Sequence, residues 1–217
     1  MMNDPKIMQM FTTVGAIVTN GHFVYTSGRH SSIYINKDAL YAHTKIISSL
    51  CQLMTRPYNA DQIDVVVGPV LGGIVLSQWV AHYLNVNHTT GETLAVFAER
   101  GNDGVDKKFF FGRGYDKLIP GRNILVVEDL LTTGGSVRQV VETVRQYGGN
   151  IVGVSVLCNR GNVQLADVGD VPIHALISLS LETYTEEECP FCQQQVPINT
   201  ELGKGRAFLA KKRAAKQ

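Results

Sequence analysis

The chain has 217 residues, of which 44% are hydrophobic and 18% are charged, and its formal net charge is +1. This composition is typical of one compact domain, with room for a small accessory lobe. No apolar run approaches the roughly twenty residues of a membrane helix, and the N-terminus lacks the layout of a secretory signal. We therefore expect a cytoplasmic protein.

Charge is distributed unevenly along the chain. Residues 204–217 contain six basic and no acidic residues and contribute +6, which leaves −5 for the remainder. A body with this sign of charge argues against a nucleic-acid binding surface. We interpret the basic tail as a solvated C-terminal end, and a contact with RNA or DNA is the alternative.

The N-terminal part of the chain predicts a helix, a hairpin and a second helix. A capping residue and a proline at positions 3–5 form a helix start, and apolar residues keep helical spacing until Gly21. Alternating residues over 23–36 flank a central turn, which is typical of a β-hairpin. Apolar residues on one side of 44–55 predict the second helix.

From residue 64 onwards, strand patterns alternate with helix patterns. Short apolar segments predict strands covered on both faces, at 64–69, 93–100, 123–129, 151–160 and 174–181. Apolar residues at helical spacing over 76–84 and 137–147 predict helices after the first and third of these strands. The alternation predicts an α/β fold with a parallel sheet and right-handed crossovers.

One long segment interrupts this alternation. Residues 101–121, GNDGVDKKFFFGRGYDKLIPG, are rich in glycine and charge and are too irregular for a helix. A loop of this length inside a compact domain is usually functional. Beyond residue 181 the pattern indicates a small lobe or flap.

Residues 124–137, ILVVEDLLTTGGSV, join a strand end to acids, hydroxyls and glycines. The turn that follows a parallel strand is where open α/β sheets bind ligands. Backbone amides and hydroxyls at 132–136, at the start of a helix, predict a phosphate site. Glu128 and Asp129 would repel that phosphate, so we expect them to accept hydrogen bonds from paired sugar hydroxyls, a role that a divalent metal could share. A ribose 5-phosphate satisfies both requirements, and a plain capped helix start is the alternative.

The segment VVEDLLTTGGS resembles the phosphoribosyl-pyrophosphate (PRPP) binding motif of the type I phosphoribosyltransferases, and no Walker or dinucleotide-binding glycine motif is present. The segments YTSGRHSSIYIN, VVVGPVLGGIVL and CNRG follow the order found in orotate phosphoribosyltransferases. ECPFCQQQVPIN is similar to the C-terminal end of some of their bacterial and archaeal members. The resemblance covers nearly all of residues 10–200 and leaves the basic tail unexplained.

The resemblance implies the type I phosphoribosyltransferase fold, a parallel sheet flanked by helices with a long flexible lid loop. All 217 residues would form a single phosphoribosyltransferase domain. Its core would span about 41–170, a small hood lobe would come from about 1–40 and 171–203, and the basic tail would be 204–217.

The family reaction is the displacement of pyrophosphate from PRPP by a ring nitrogen of orotate, which gives orotidine 5′-monophosphate for UMP biosynthesis. Positive charge builds on the ribose and negative charge on the pyrophosphate, so the site needs cations, fixed ribose geometry and exclusion of water. Mg²⁺ is expected to arrive with PRPP, without a direct protein ligand. The implied PRPP-binding residues are Glu128, Asp129, Leu130, Leu131, Thr132, Thr133, Gly134, Gly135, Ser136, Leu71, Gly72 and Arg100.

The resemblance also implies which residues act on the reacting groups. Asp129 would lie closest to the developing oxocarbenium ion, and Arg100, Lys107 and Lys108 would deliver positive charge to pyrophosphate from a lid that serves the neighbouring subunit of a homodimer. Many relatives have a lysine at the position of Gly72, and their lid carries a histidine that is absent here. The alternatives are an ordinary strand–turn–helix loop at Gly72 and a solvated charged hairpin at the two lysines.

For orotate, Arg160 would pair with the carboxylate through its forked guanidinium group. Thr26 stands where some relatives have a lysine, and Arg29 is the cation that could replace it. Further residues would cover the base or hydrogen-bond its ring. The implied orotate-binding residues are Thr132, Arg160, Tyr34, Ile35, Thr26 and Arg29.

Two other functions remain open from the sequence. The first is a phosphoribosyltransferase for a purine base, which Arg160 argues against because a neutral purine does not require the cation. The second is a PRPP-sensing regulator without turnover, which would usually carry a DNA-binding helix pair that is not apparent here.

Four cysteines are too few and too unevenly placed for a disulfide framework. Cys189 and Cys192 form a Cys-x-x-Cys pair, but a zinc site needs four ligands and only one pair is visible. We interpret the pair as structural or incidental. His22, His30 and His174 are scattered and receive no chemical role.

Overall fold

The computed structural model describes residues 4–89, 91–101 and 108–214. The helices are α1 (Pro5–Thr13), α2 (Lys37–Ala42), α3 (Thr44–Thr55), α4 (Gly72–Asn87), α5 (Gly135–Gln146), α6 (Pro190–Gln193) and α7 (Gly205–Ala214). The strands are β1 (Ile17–Val18), β2 (Phe23–Val24), β3 (His30–Ser31), β4 (Tyr34–Ile35), β5 (Val65–Pro69), β6 (Leu94–Arg100), β7 (Phe109–Phe110), β8 (Asn123–Leu131), β9 (Asn150–Asn159) and β10 (Ile173–Ser178). The chain divides into two compact units, the first formed by Met1–Ile7 and Thr44–Leu179 and the second by Met8–His43 and Ser180–Gln217.

The first unit is built on a six-stranded sheet in the order β10-β9-β8-β5-β6-β7. All neighbouring pairs are parallel except β6 and β7, which are antiparallel. The predicted parallel α/β sheet is therefore confirmed. The chain adds β6 on one side of β5 and β8 on the other, so the direction of winding reverses between β5 and β8. In doubly wound sheets this reversal marks the edge where ligands bind, at the carboxyl ends of the two strands.

Helices cover both faces of this sheet, which explains why its strands are apolar throughout. Val65 and Val67 of β5 belong to a buried cluster with Val140 and Val144 of α5. The opposite face is covered by α3, because the Ser155 hydroxyl of β9 donates a hydrogen bond of 3.0 Å to the Met54 carbonyl. The position of α3 agrees with the helix predicted over 44–55.

The segment after β6 is more regular than the sequence suggested. Phe109 and Phe110 form β7, which pairs with the end of β6, and a 3₁₀ turn follows at Tyr115–Leu118. Phe109 and Ile119 are buried in the core. As predicted, the described part of 101–121 forms no α-helix, but from residue 109 onwards aromatic side chains anchor it to the sheet. Lys107 lies outside the described residues.

In the second unit, the predicted first helix is shorter than expected. It ends at Thr13 rather than near Gly21, because Gly15 takes a left-handed φ of 67° and turns the chain into β1. The predicted hairpin over 23–36 is confirmed only for β2 and β3. The last part of that segment, β4, pairs instead with β1, in the register Ile17↔Ile35.

Part of the basic tail folds as a helix. Residues 205–214 form α7, and the Phe208 ring meets the His30 ring edge-on at 5.0 Å. Lys212 forms an ion pair with Glu186. This part of the tail belongs to the second unit, and its basic residues are exposed to solvent as predicted, whereas residues 215–217 lie outside the described residues. Among the helices that the structure describes, none has the length and apolar character needed to cross a membrane.

Candidate active site

The turn between β8 and α5 presents the predicted anion-binding groups. Thr132, Thr133 and Gly135 are exposed and Ser136 is half-buried. Gly134 is the N-cap of α5, with a left-handed φ of 75°, and it offers no side-chain cap; the Thr133 hydroxyl lies 3.5 Å from the Gly135 amide. The first amides of a twelve-residue helix therefore face outward, where an anion can accept their hydrogen bonds.

Backbone contacts fasten this turn to the end of β9. The amides of Arg160 and Gly161 both donate to the Leu131 carbonyl, at 3.0 and 3.2 Å. A Cβ atom at Gly161 would lie only 1.7 Å from the Thr132 carbonyl oxygen, so only glycine fits there. The close approach brings Arg160 to the turn that carries Thr132.

The two acids lie at the carboxyl end of β8, just before this turn. Asp129 is buried, with 4% of its surface exposed, and Glu128 is half-buried. The Glu128 carboxylate accepts a hydrogen bond of 3.0 Å from the Asp129 amide, which holds it at the strand end. Both Asp129 and Arg160 influence the nearby Cys158 thiol, whose pKa burial raises to about 12. The acid and the arginine therefore lie on the same edge of the sheet.

A second amide-rich turn follows β5, the strand next to β8. A Cβ atom at Gly68 would lie 2.2 Å from the Gly73 carbonyl oxygen, so the two glycines allow the strand end and α4 to touch. α4 starts at Gly72, and its N-cap Leu71 forms no side-chain cap. The Leu71 side chain is 82% exposed, and the Val70–Leu71 peptide bond is cis. The turn thus offers uncapped amides on the same sheet edge as the first turn.

The cations predicted near the pyrophosphate differ in their placement. Arg100, at the end of β6, donates a hydrogen bond of 3.2 Å to the Ser136 hydroxyl, and its guanidinium lies 4.9 Å from the centre of the Phe109 ring. Lys108 is exposed. Arg113 is instead tied to Glu99, with 3.0 Å between Nε and Oε1. Of the described residues predicted to act on the pyrophosphate, Arg100 is the one that forms a side-chain hydrogen bond with the phosphate turn.

Four residues predicted to contact the base lie in the second unit. Thr26 is exposed, and Arg29 donates to the Thr183 hydroxyl and carbonyl at 2.8 and 2.6 Å. The Tyr34 ring is half-buried and lies 5.5 Å from the Phe23 ring. Ile35 is only 4% exposed, so its side chain serves mainly the packing of this unit.

The second unit also contains a cluster that the sequence analysis missed. His22 and His30, which received no role, lie beside Cys189 and Cys192. The usual zinc-finger spacing is absent, because the two histidines come from a hairpin and not from a helix.

Comparison with known proteins places the chain in a class. The sequence model of the family described as "Phosphoribosyl transferase domain" matches residues 36–171. A crystal structure of orotate phosphoribosyltransferase from Aeropyrum pernix superimposes with a TM-score of 0.66 at 22% identity, covering 80% of this chain and 93% of that one. The orotate phosphoribosyltransferase of Mycobacterium tuberculosis in complex with PRPP superimposes with a TM-score of 0.55 at 21% identity, covering 81% and 98%. The fold is that of the type I phosphoribosyltransferases.

Sequence similarity identifies the family to which the chain belongs within the type I phosphoribosyltransferases. The orotate phosphoribosyltransferase of Desulforamulus reducens is 39% identical over 196 residues, which are 90% of this chain and 95% of that protein. The chain therefore belongs to the orotate phosphoribosyltransferase family, and the resemblance seen in its motifs is confirmed.

Proposed function

We propose that this protein is an orotate phosphoribosyltransferase, which transfers the 5-phosphoribosyl group of PRPP to orotate and releases pyrophosphate and orotidine 5′-monophosphate. The observation that carries the proposal is the pair of uncapped helix starts on adjacent strands β5 and β8, with Glu128 and Asp129 at the end of β8. Two anion sites with acids beside one of them suit a sugar that bears a phosphate at one end and a pyrophosphate at the other.

In this proposal the 5′-phosphate occupies the turn after β8. The amides and hydroxyls of 132–136 donate to it. Arg100, which the resemblance assigned to the pyrophosphate, lies beside Ser136 and would add positive charge at this phosphate as well. Glu128 and Asp129 accept hydrogen bonds from the ribose hydroxyls. The amides of Leu71 and Gly72 receive the pyrophosphate at the neighbouring turn.

Transfer breaks the bond between the anomeric carbon and a pyrophosphate oxygen, and the electron pair leaves with pyrophosphate. The ring nitrogen of orotate then forms the new bond to that carbon and loses its proton, which an oxygen of the departing pyrophosphate can accept. Asp129, a buried carboxylate, stabilises the positive charge that develops on the ribose, because a charge fixed in a dry site needs no reorganisation. The uncapped amides at Gly72 stabilise the negative charge on the leaving group.

Arg160 is the residue that we propose for recognition of the base. Its guanidinium can hold the orotate carboxylate through two parallel hydrogen bonds, with Thr132 on the adjoining turn for the ring. By family resemblance Tyr34 would cover the base face, with Thr26 and Arg29 as further contacts, whereas the buried Ile35 would act only by packing behind Tyr34. A purine base offers no carboxylate to Arg160, so orotate is favoured over a purine.

The remaining components follow from the family resemblance. Mg²⁺, which prefers phosphate and hydroxyl oxygens, would enter with PRPP and be held by it, without a direct protein ligand. Lys107 and Lys108 would act on the pyrophosphate in the site of the neighbouring subunit, in a homodimer. Four cysteines without disulfides fit the cytoplasm, where thiols stay reduced.

A spectrophotometric assay with Mg²⁺ and PRPP tests the proposal by comparing orotate, uracil, hypoxanthine and xanthine. We expect consumption of orotate only. Turnover of hypoxanthine or xanthine with orotate inert would establish a purine enzyme instead. Binding of PRPP without turnover of any of the four bases would favour a regulator.

A further inference from the structure

The second unit contains a cluster of two histidines and two cysteines whose ligand atoms all lie within 4.8 Å of one another. We propose that this cluster is a structural zinc site formed by His22, His30, Cys189 and Cys192. The inference does not depend on the proposed transferase function, because the cluster lies outside the residues assigned to PRPP and orotate.

Distances between the ligand atoms are those of a tetrahedral site. The Cys189 and Cys192 sulfurs lie 3.6 and 3.7 Å from His22 Nε2. The Cys192 sulfur lies 3.4 Å from His30 Nδ1. Zinc bonds of about 2.0–2.1 Å to nitrogen and about 2.3 Å to sulfur give a nitrogen–sulfur edge of about 3.6 Å. The two nitrogens are 2.8 Å apart, so zinc would spread them by only about 0.5 Å.

His22 is oriented for coordination by a backbone contact. Its Nδ1 lies 2.8 Å from the Val196 carbonyl and donates to it in the neutral ring. This hydrogen bond leaves the lone pair of Nε2 directed at the cluster, which is the arrangement that metal-bound histidines usually show. The residue that supplies the carbonyl lies just beyond the Cys-x-x-Cys turn, so the ligand and its support come from the same C-terminal segment.

Local structure brings the four residues together in pairs. His30 opens β3, and His22 directly precedes β2, so the β2–β3 hairpin places both rings on one side. Cys189 is the N-cap of the short helix α6, and Cys192 lies within that helix. The His30 backbone pairs with Tyr184 in both directions, at 2.8 and 2.9 Å, and joins the hairpin to the C-terminal segment.

Burial and chemistry favour zinc over other occupants. His22, His30 and Cys189 are at most 2% exposed, and the rings of Phe191 and Phe208 pack on the two histidines. Two thiolates balance the charge of a divalent cation, so the filled site is neutral and tolerates this burial. Two thiolates and two imidazoles in a tetrahedron are typical of structural zinc, and all four positions come from the protein, which leaves no open position for catalysis.

The expected consequence is that zinc joins two distant parts of the chain. His22 and Cys189 are 167 residues apart in sequence. A bond through the metal therefore ties the N-terminal hairpin to the C-terminal segment of this unit. Loss of zinc should lower the Tm and expose two thiols.

Metal analysis of the full chain tests the inference. Reduced protein is loaded with zinc sulfate, exchanged into metal-free buffer and measured by plasma mass spectrometry, with the expectation of one zinc ion per chain. Cobalt substitution should give a thiolate charge-transfer band and the intense visible bands of a tetrahedral site. Cys192→Ser and His22→Gln should lose the stoichiometric metal, whereas the controls Cys51→Ala and His174→Gln should keep it.

The wild-type measurement decides the matter even when a ligand variant fails to fold. Absence of retained metal in the zinc-loaded wild-type chain would overturn the proposal. Iron bound at this site in the protein as purified, before zinc is added, would also overturn it. A disulfide between Cys189 and Cys192 in the zinc-loaded sample would contradict the proposal too. Mass spectrometry without reductant would detect it as a mass that is lower by two hydrogens. Retention of zinc by Cys192→Ser at the wild-type level would exclude this ligand set.

Discussion

The Arg100 guanidinium donates a hydrogen bond of 3.2 Å to the Ser136 hydroxyl, and so joins the end of β6 to the first turn of α5. The two residues are 36 positions apart in sequence, one at the end of a strand and the other at the start of a helix. In the sheet, β6 is separated from β8 by β5. Through Arg100, β6 nevertheless contributes a cation to the turn after β8, which presents the anion-binding amides. The phosphate turn is completed by this arginine as well as by its own residues.

Replacement of Arg100 by glutamine should weaken the binding of PRPP. The charged hydrogen bonds that a guanidinium makes to phosphate are worth about 1.5–3 kcal/mol, so we expect kcat/KM for PRPP to fall roughly 10- to 100-fold. Arg138→Gln is the matched control, because Arg138 lies on α5, is exposed as Arg100 is, and pairs with Glu142 at 2.9 Å. Equal losses in both variants, measured by steady-state kinetics, would show that Arg100 has no special role.

Gly161 and Gly135 should respond differently to the same added methyl group. At Gly161 the Cβ would collide with the Thr132 carbonyl at 1.7 Å, so Gly161→Ala should lower both the Tm and PRPP affinity. At Gly135 the nearest atom is the Thr133 hydroxyl at 3.6 Å, an ordinary contact. Gly135→Ala should therefore keep the wild-type Tm while the methyl group obstructs the phosphate. Thermal unfolding and calorimetric titration with PRPP measure both effects, and an unchanged Tm in Gly161→Ala would contradict the geometry.

Asp129→Asn should slow turnover far more than it weakens PRPP binding. The substitution keeps the shape of a buried side chain but removes the charge that stabilises the positive ribose in the transition state. We expect kcat to fall on the order of 100-fold while the Kd for PRPP changes only a few-fold. Rapid-mixing kinetics and equilibrium binding separate the two quantities. Equal losses in both would place Asp129 among the ordinary binding residues.

Most of the first unit could be predicted from the sequence because its signals are local. β5, β8 and β9 are apolar runs, and the glycines that follow them mark the turns. The sequence placed glycines and hydroxyl residues at the start of α5, and the structure has Thr132, Thr133 and Gly135 exposed there.

Other features depend on contacts between distant residues, which no local pattern records. β7 has two residues and exists only because it pairs with the end of β6. α1 stops at Thr13 although apolar residues continue at helical spacing, because β1 pairs with β4 instead. The two histidines of the proposed zinc site come from an N-terminal hairpin and the two cysteines from a C-terminal turn. Neither segment of the sequence alone therefore contains all four ligands.

Arg160 should determine affinity for the base and not for PRPP. Arg160→Gln removes the partner of the orotate carboxylate, so we expect the KM for orotate to rise roughly 10- to 100-fold with the Kd for PRPP unchanged. Arg160→Lys should recover only part of this loss, because an ammonium group cannot form two parallel hydrogen bonds. Arg122→Gln is the control, since Arg122 is exposed and pairs with Asp64 at 3.5 Å. A rise in KM for PRPP that matches the rise for orotate would refute the assignment.

Buried thiols should make the protein less stable in alkali. Burial raises the pKa of Cys51 from its ordinary value of 9.0 to about 12, so between these values the unfolded chain has lost a proton that the folded chain keeps. The unfolded state then binds fewer protons, and the free energy of unfolding falls as pH rises, by about 1.4 kcal/mol per pH unit for one such thiol. Cys51→Ala should reduce this slope between pH 9 and about 10.5 in urea titrations, whereas Gln52→Ala, at an exposed neighbour, should not. Identical slopes for the Cys51→Ala variant and the wild-type chain would show that this thiol does not contribute to the loss of stability.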